Sequence, residues 1–103
     1  MTPVPGEPRL IADCMLGRLA RWLRILGLDT AYDRAIPDDA LIRRCRQEGR
    51  ALLTRDRALA GRRVLRNSGV VVLLVESDQP DRQLAQTLRD LGMAPDPGRL
   101  LSR

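Results

Sequence analysis

One stretch decides the fold of this chain, Ala51–Arg57, with the sequence ALLTRDR. Three apolar residues and a β-branched threonine are typical of a short buried strand. An arginine and an aspartate then end the pattern abruptly. In open α/β sheets, ligands bind at the carboxyl ends of parallel strands, so Asp56 is placed to face a binding crevice. The alternative is that Asp56 caps a helix that begins near Arg57.

Four strand patterns alternate with helix patterns along the chain. Besides Ala51–Thr54, the predicted strands are Arg9–Ala12, Leu28–Tyr32 and Val70–Val75. The last is an unbroken apolar run, which predicts a strand covered on both faces. Amphipathic helix patterns lie between and after the strands, and one of them is a short arginine-rich helix after Ala51–Thr54. This alternation predicts an α/β domain with a mainly parallel sheet.

Acidic residues gather where strands end and helices begin. Five aspartates share such positions: Asp13, Asp38, Asp39, Asp56 and Asp78. Because strand carboxyl ends and the amino ends of the following helices lie along one edge of a parallel sheet, we expect all five carboxylates at one rim. For Asp13 and Asp56 to share a ligand, the first and third strands must be neighbours. This requirement favours the strand order 2-1-3-4.

Helix capping is also the alternative for three further aspartates. Asp38 or Asp39 can cap the helix after Pro37, and Asp78 can cap the one that begins near Pro80. Asp13 is harder to explain in this way, because a charge between apolar residues is costly. Clustered carboxylates repel one another unless a cation neutralises them. Since the chain has no histidine, oxygen ligands predict a hard ion, Mg²⁺ or Mn²⁺.

The positive charge is concentrated in the half of the chain that carries these acids. All 18 basic residues are arginines and the net charge is +5. Codon bias is enough to explain the choice of arginine over lysine. Position is more informative, because 13 arginines and six acidic residues lie between positions 16 and 67, a difference of +7. Such a field favours a polyanionic partner. With no Phe, one Trp and one Tyr, contacts with RNA or another single-stranded nucleic acid would depend on phosphate.

Length and composition predict one domain in the cytoplasm. Residues 9–94 form the expected domain, with a flexible lead-in at 1–8 and a tail at 95–103. No apolar run approaches the roughly 20 residues that span a bilayer, and the first residues lack the apolar core of a secretory signal. Cys14 and Cys45 are interpreted as small core residues. Trp22 and Ile25 widen the apolar face of the first helix, which leaves room for another element or for the second subunit of a homodimer.

Several motifs together resemble a known family. The run Asp13–Arg24 (DCMLGRLARWLR), the pair Asp38-Asp39 and the segment LLTRDR are similar to the Mut-seven C-terminal RNase family, a branch of the PIN-like nucleases. The resemblance extends from about Arg9 to Gly92. It implies a three-layer α/β/α PIN-like fold and a ribonuclease that uses Mg²⁺ or Mn²⁺. The matching acidic positions are Asp13, Asp38 and Asp56, with Asp78 as a looser fourth member and Asp39 as a further candidate acid.

Three arginines are candidates for binding the phosphates of the substrate. Arg18 lies on the first turns of the first helix, while Arg55 and Arg57 flank Asp56. Guanidinium groups bind phosphate oxygens in pairs, which suits this role. Gly17 either allows a phosphate to approach the backbone or simply begins a helix.

Other functions remain open at this level. Family members usually continue into a cysteine-rich zinc-binding module beyond a segment like Leu100–Arg103, and the present sequence does not include it. A PIN-like module that binds RNA without cleaving it is one alternative, and the toxin RNase of a toxin–antitoxin pair is another. A receiver domain would require a lysine on a later strand. The chain has no lysine, which excludes that class.

Overall fold

Parallel strands form the centre of the computed structural model, which describes residues 8–92. In that range the strands are β1 (Arg9–Ala12), β2 (Asp29–Tyr32), β3 (Ala51–Thr54) and β4 (Val72–Leu74). They lie in the order β2-β1-β3-β4, and every neighbouring pair is parallel. The predicted strand order is confirmed. It makes β1 and β3 the two central strands, side by side.

Helices follow each strand. In the same range they are α1 (Gly17–Ile25), α2 (Asp38–Glu48), α3 (Arg57–Ala60), α4 (Arg63–Arg66) and α5 (Pro80–Asp90). A 3₁₀ turn at Cys14–Leu16 precedes α1. The arginine-rich helix predicted after β3 is in fact two short helices. Gly61, a poor helix former, ends the first of them after one turn.

The two faces of the sheet contact different helices. Leu10 and Leu53 pack with α1 and α5 on one face. Ile11 and Leu52 pack with α2, α3 and α4 on the other. Successive side chains of a strand point to opposite faces, so each central strand contributes to both clusters. The fold is therefore the predicted three-layer α/β/α arrangement.

Strand β4 is shorter and less buried than its sequence predicts. The apolar run Val70–Val75 predicts a strand covered on both faces, yet only Val72–Leu74 pair as a strand and none of the three is fully buried. Val71 is 59% exposed. The reason is position, because β4 lies at the edge of the sheet with β3 as its one neighbour. An apolar run alone does not distinguish an edge strand from a central one.

Side chains from helices occupy main-chain groups of both edge strands. Arg24 Nε donates to the carbonyl of Thr30 on β2, at 2.8 Å. On the opposite edge, Gln86 Nε2 donates to the carbonyl of Leu74 at 2.7 Å, and Gln86 Oε1 accepts from the amide of Glu76 at 3.0 Å. Unpaired edge groups of this kind would otherwise be free to pair with another strand.

A network of paired charges holds the amino edge of the sheet. Arg50 is only 9% exposed and donates to the carbonyl of Leu10 at 2.9 Å. The same guanidinium binds the carboxylates of Asp29 and Glu48. Arg9 forms a second ion pair with Asp29, at 3.3 Å. Hydrogen bonds from Arg50 hold the pKa of Asp29 and the pKa of Glu48 below their ordinary values.

Several expectations fall at the limits of the described chain. The lead-in at 1–8, apart from Pro8, and the tail at 95–103 lie outside the described residues. Trp22 and Ile25 are exposed among residues 8–92, and a second subunit over them stays a prediction. Within the same range, every helix is too short or too polar to cross a membrane. The cytoplasmic location stays a prediction.

Candidate active site

Asp13 lies directly after β1 and is held by neutral groups. Its side chain is buried, with 7% exposure. One carboxylate oxygen, Oδ1, accepts from the amide of Cys14 at 2.7 Å, and the other, Oδ2, accepts from the hydroxyl of Thr54 at 2.8 Å. No arginine of residues 8–92 forms an ion pair with it. A buried carboxylate without a paired cation attracts a cation strongly.

Thr54 connects the carboxylate of Asp13 to the main chain at Asp56. It ends β3 and is fully buried, and its hydroxyl donates to Asp13 while accepting from the amide of Asp56 at 3.0 Å. This bridge depends on β1 and β3 being neighbours, which brings Asp13 beside the end of β3. Sequence reasoning missed the role of Thr54. The available signal was a hydroxyl residue at the last position of a buried strand, just before an acid.

Asp56 is exposed at the end of β3 and also caps the helix that follows. Its side chain is exposed, and Oδ1 accepts from the amide of Leu59 at 3.1 Å as the cap of α3. Among the described residues, Oδ2 accepts no hydrogen bond. Capping therefore uses one oxygen and leaves the second available to a ligand at the carboxyl end of β3.

Asp38 and Asp39 are not caps. Pro37 occupies the cap position of α2, and both aspartates lie in the first helical turn. Pro37 has an extended ψ of 154°, so the helix begins at Asp38, earlier than a cap at Asp38 or Asp39 would place it. Both carboxylates are exposed and face Arg62, at 3.9 Å from Asp38 and 3.2 Å from Asp39. Sequence reasoning did not identify Arg62, because 23 residues separate it from Asp39.

Asp78 is also not a cap, which corrects the second capping prediction. Gln79 occupies the cap position of α5, and the hydroxyl of Ser77 accepts from the amide of Gln79 at 3.0 Å. Asp78 is exposed after β4. Ser77 makes the turn that an aspartate was expected to make, since hydroxyl and carboxylate side chains form equivalent local turns.

Asp13 and Asp56 follow the two central, neighbouring strands, whereas Asp38, Asp39 and Asp78 lie at other elements. Within residues 8–92, no three cysteine or carboxylate side chains come close enough together to surround one metal ion. The five predicted acids thus divide into the Thr54-linked pair Asp13 and Asp56, the Arg62-bound pair Asp38 and Asp39, and Asp78. A pair is compatible with Mg²⁺, which commonly takes one or two carboxylates and completes its shell with water and substrate phosphate.

The predicted phosphate-binding arginines surround this acidic pair in sequence. Arg55 lies between Thr54 and Asp56, and its Nε is buried without a hydrogen-bond acceptor among residues 8–92. Arg18 and Arg57 are exposed, and neither forms an ion pair within that range. A buried N–H without an acceptor is costly.

The two cysteines have different surroundings. Cys45 is buried, as predicted, and burial raises its pKa to about 11. The prediction was wrong for Cys14, whose side chain is exposed because its 3₁₀ turn lies above the strand ends. Partial desolvation and the charge of Asp13 raise the pKa of the Cys14 thiol. Both thiols are therefore protonated at neutral pH and are poor nucleophiles.

Gly17 is explained by an aromatic neighbour. A Cβ at this position would lie 3.1 Å from the hydroxyl oxygen of Tyr32. That hydroxyl donates to the carbonyl of Cys14 at 2.8 Å, which joins the end of β2 to the turn after Asp13. The close approach of Tyr32 accounts for the glycine without a ligand, an explanation that sequence reasoning did not include.

Comparison with protein families agrees with the motifs and the fold. The model of the Mut7-C RNAse domain matches residues 8–103. The chain belongs to the Mut7-C RNase domain family. This membership covers nearly the whole chain and indicates a nuclease. Neither the curated proteins nor the solved structures provide a match to this member of the family.

Proposed function

We propose that this Mut7-C domain is a metal-dependent ribonuclease that hydrolyses RNA phosphodiester bonds beside Asp13 and Asp56. One observation carries the proposal. Asp13 and Asp56 follow the two neighbouring central strands, and Asp13 is buried with a hydrogen bond from Thr54 and no ion-pair partner among residues 8–92. Ligand sites in open α/β sheets lie at this edge.

Asp13 and Asp56 would hold Mg²⁺ or Mn²⁺. When bound, such an ion activates water and neutralises the negative charge that develops on phosphate during hydrolysis. Thr54 fixes the orientation of Asp13 by donating to one of its oxygens. Orienting partners of this kind contribute to metal sites nearly as strongly as the ligands themselves.

The arginines would position the RNA strand. The terminal nitrogens of Arg55 would bind a phosphate oxygen, and the exposed Arg57 and Arg18 would add positive charge at the same edge. Hydrolysis breaks the bond between phosphorus and the leaving oxygen, so in-line placement of the phosphate determines the rate. Asp38, Asp39 and Asp78 would be further acids of the site if RNA or metal binding draws them in.

A second candidate function is RNA binding without cleavage. Within the described residues a third acid is lacking near Asp13 and Asp56, while most arginines have no ion-pair partner. Together, these two observations favour a surface that binds the phosphates of RNA over one that cleaves RNA.

Cleavage of a labelled single-stranded RNA in Mn²⁺ or Mg²⁺ tests the proposal. The wild type should cleave, cleavage should stop with a chelator, and Asp56→Asn should bind RNA without cleaving it. Asp90→Asn is the matched control, because Asp90 is exposed at the carboxyl end of α5, away from the ends of β1 and β3. Metal-independent binding with no cleavage by the wild type would establish the second candidate instead.

A further inference from the structure

A basic pocket lies beside the acidic pair, between α1 and the end of β2. Its volume is about 600 Å³. Three arginines line it: Arg21 and Arg24 from α1, and Arg34 from the turn after β2. Cys14 forms the wall nearest the acids, because it directly follows Asp13 in the chain. Among the described residues, no acidic side chain lines the pocket.

The walls of this pocket are fixed by specific contacts. The hydroxyl of Tyr32 binds the carbonyl of Cys14, and the Tyr32 ring closes against Gly17, where a Cβ would lie 3.2 Å from Cζ. Arg24 is held through its Nε by the carbonyl of Thr30. A guanidinium has five N–H donors, so this bond leaves the terminal nitrogens of Arg24 able to bind a ligand.

The charge of the pocket is not neutralised by residues 8–92. Arg9, Arg44, Arg50 and Arg62 form ion pairs in that range, whereas none of the three pocket arginines does. Three guanidinium groups around one concavity create a strong attraction for an anion, and their planar forks suit phosphate. The volume exceeds that of a phosphate group and leaves space for an attached sugar.

We propose that this pocket binds a phosphate group of an RNA strand that also reaches the neighbouring Asp13. The inference rests on the proposed function for the choice of RNA as the ligand. It adds Arg21, Arg24 and Arg34 to the substrate contacts. It also gives the bound strand a direction, from the strand ends of β1 and β3 across Cys14 toward β2. The phosphate is either an internal phosphodiester or a terminal monoester.

Cys14 provides a built-in reporter of pocket occupancy. The chain has two cysteines, and only Cys14 is exposed, while Cys45 is buried with a raised pKa. Alkylation by iodoacetamide, an uncharged reagent, should therefore occur at Cys14. In the Asp56→Asn protein, a short single-stranded RNA at ten times its Kd should slow this alkylation by about tenfold. An unchanged alkylation rate at saturating RNA would overturn the proposal.

Paired arginine variants supply the matched control. Arg21→Ala with Arg34→Ala removes two charges from the pocket and leaves the bond from Arg24 to β2 intact. Arg43→Ala with Arg46→Ala removes two equally exposed charges from α2. The pocket pair should weaken RNA binding by about tenfold more than the α2 pair and lower the salt slope by about 0.7 for each phosphate that the variant no longer binds. Equal weakening by both pairs would mean that only net charge matters and would overturn the proposal.

Two further arms identify the phosphate and separate this inference from the proposed function. Equal protection by RNAs with a 5′-hydroxyl and a 5′-phosphate assigns an internal phosphodiester, whereas protection by the phosphorylated RNA alone assigns a terminal monoester. Cleavage by the wild type without protection of Cys14 refutes the pocket and leaves the nuclease standing. Protection without any cleavage refutes the nuclease, and it supports the pocket only if Arg21→Ala with Arg34→Ala removes the protection; protection that survives this double change overturns the pocket.

Discussion

The two edges of the sheet use charge in opposite ways. At the amino edge, Arg50 is buried and each of its charged partners, Asp29 and Glu48, is paired with it. At the carboxyl edge, Asp13 is equally buried and has only neutral partners within the described residues. The difference shows which charges stabilise the fold and which remain available to a ligand. Sites that bind ligands commonly retain unsatisfied groups that a purely structural site would neutralise.

Loss of one carboxylate from the carboxyl edge should have the largest effect. We expect Asp13→Asn to lower RNA cleavage by on the order of 10³-fold or more, because it removes the buried carboxylate that is proposed to hold the metal ion. Asparagine retains one acceptor oxygen, so either Thr54 or the amide of Cys14 loses its acceptor, which should cost only about 1 kcal/mol of unfolding free energy. Cleavage rates and urea unfolding measure the two quantities. Full unfolding of the variant would show that Asp13 is structural and that the comparison of the edges is wrong.

Thr54→Val tests whether the bridge between the acids matters for the reaction. The shapes are nearly equal, but valine cannot donate to Asp13 or accept from the amide of Asp56. We expect cleavage to fall by about 10- to 100-fold, as for partners that orient metal ligands, and stability to fall by about 1–2 kcal/mol. Thr54→Ser retains the hydroxyl and should restore most of the activity. If the serine variant is as slow as the valine variant, the methyl group rather than the bridge is responsible.

Arg50→Met should produce the converse pattern. It removes the buried guanidinium and leaves the carbonyl of Leu10 without this donor, while Asp29 and Glu48 can still contact water. We expect a loss of about 2 kcal/mol of unfolding free energy, below the value for a fully buried pair because the partners are solvated. Cleavage at a temperature where the variant remains folded should be unchanged. A large loss of activity in the folded variant would mean that the two edges are coupled.

Lowering the pH should weaken the ion pairs at the amino edge and reduce the free energy of unfolding by less than Arg50→Met does. Asp29 and Glu48 have folded-state pKa values below their ordinary values of 3.8 and 4.5. Their contribution is therefore complete above those ordinary values and is lost as pH falls through the lower folded-state values. Urea unfolding at pH 7, 4 and 3 should show a loss that is smaller in Arg50→Met than in the wild type. Equal losses in both proteins would assign the acid sensitivity to other carboxylates.

Much of the fold follows from local patterns in the sequence. The strand Ala51–Thr54 and the glycines that end α1 and α2 were predictable, because apolar runs and left-handed backbone positions depend on few residues. The order 2-1-3-4 followed from requiring Asp13 and Asp56 to meet. The extent of β4 was not predictable, since an edge position depends on the complete sheet.

The candidate site was predictable in its acids and less so in their partners. The sequence placed Asp13 and Asp56 at one edge because both follow strands. It did not predict that Arg62 would contact Asp38 and Asp39, or that Thr54 would bridge the central pair. These interactions join residues more than 20 positions apart and depend on side-chain directions. The metal-binding and catalytic roles of the predicted acids stay predictions.

Two helix side chains that bind the edge strands influence how this domain can associate with others. Arg24 already binds the carbonyl of Thr30 on β2, and Gln86 binds the carbonyl of Leu74 on β4 and the amide of Glu76 just after it. A neighbouring strand would have to compete with these side chains for those groups. In a fusion protein or a crowded solution, contacts with this domain should therefore form through helix surfaces, where the nature of each side chain selects the partner. Two ordinary hydrogen-bonding residues thus favour selective association over strand-to-strand polymerisation.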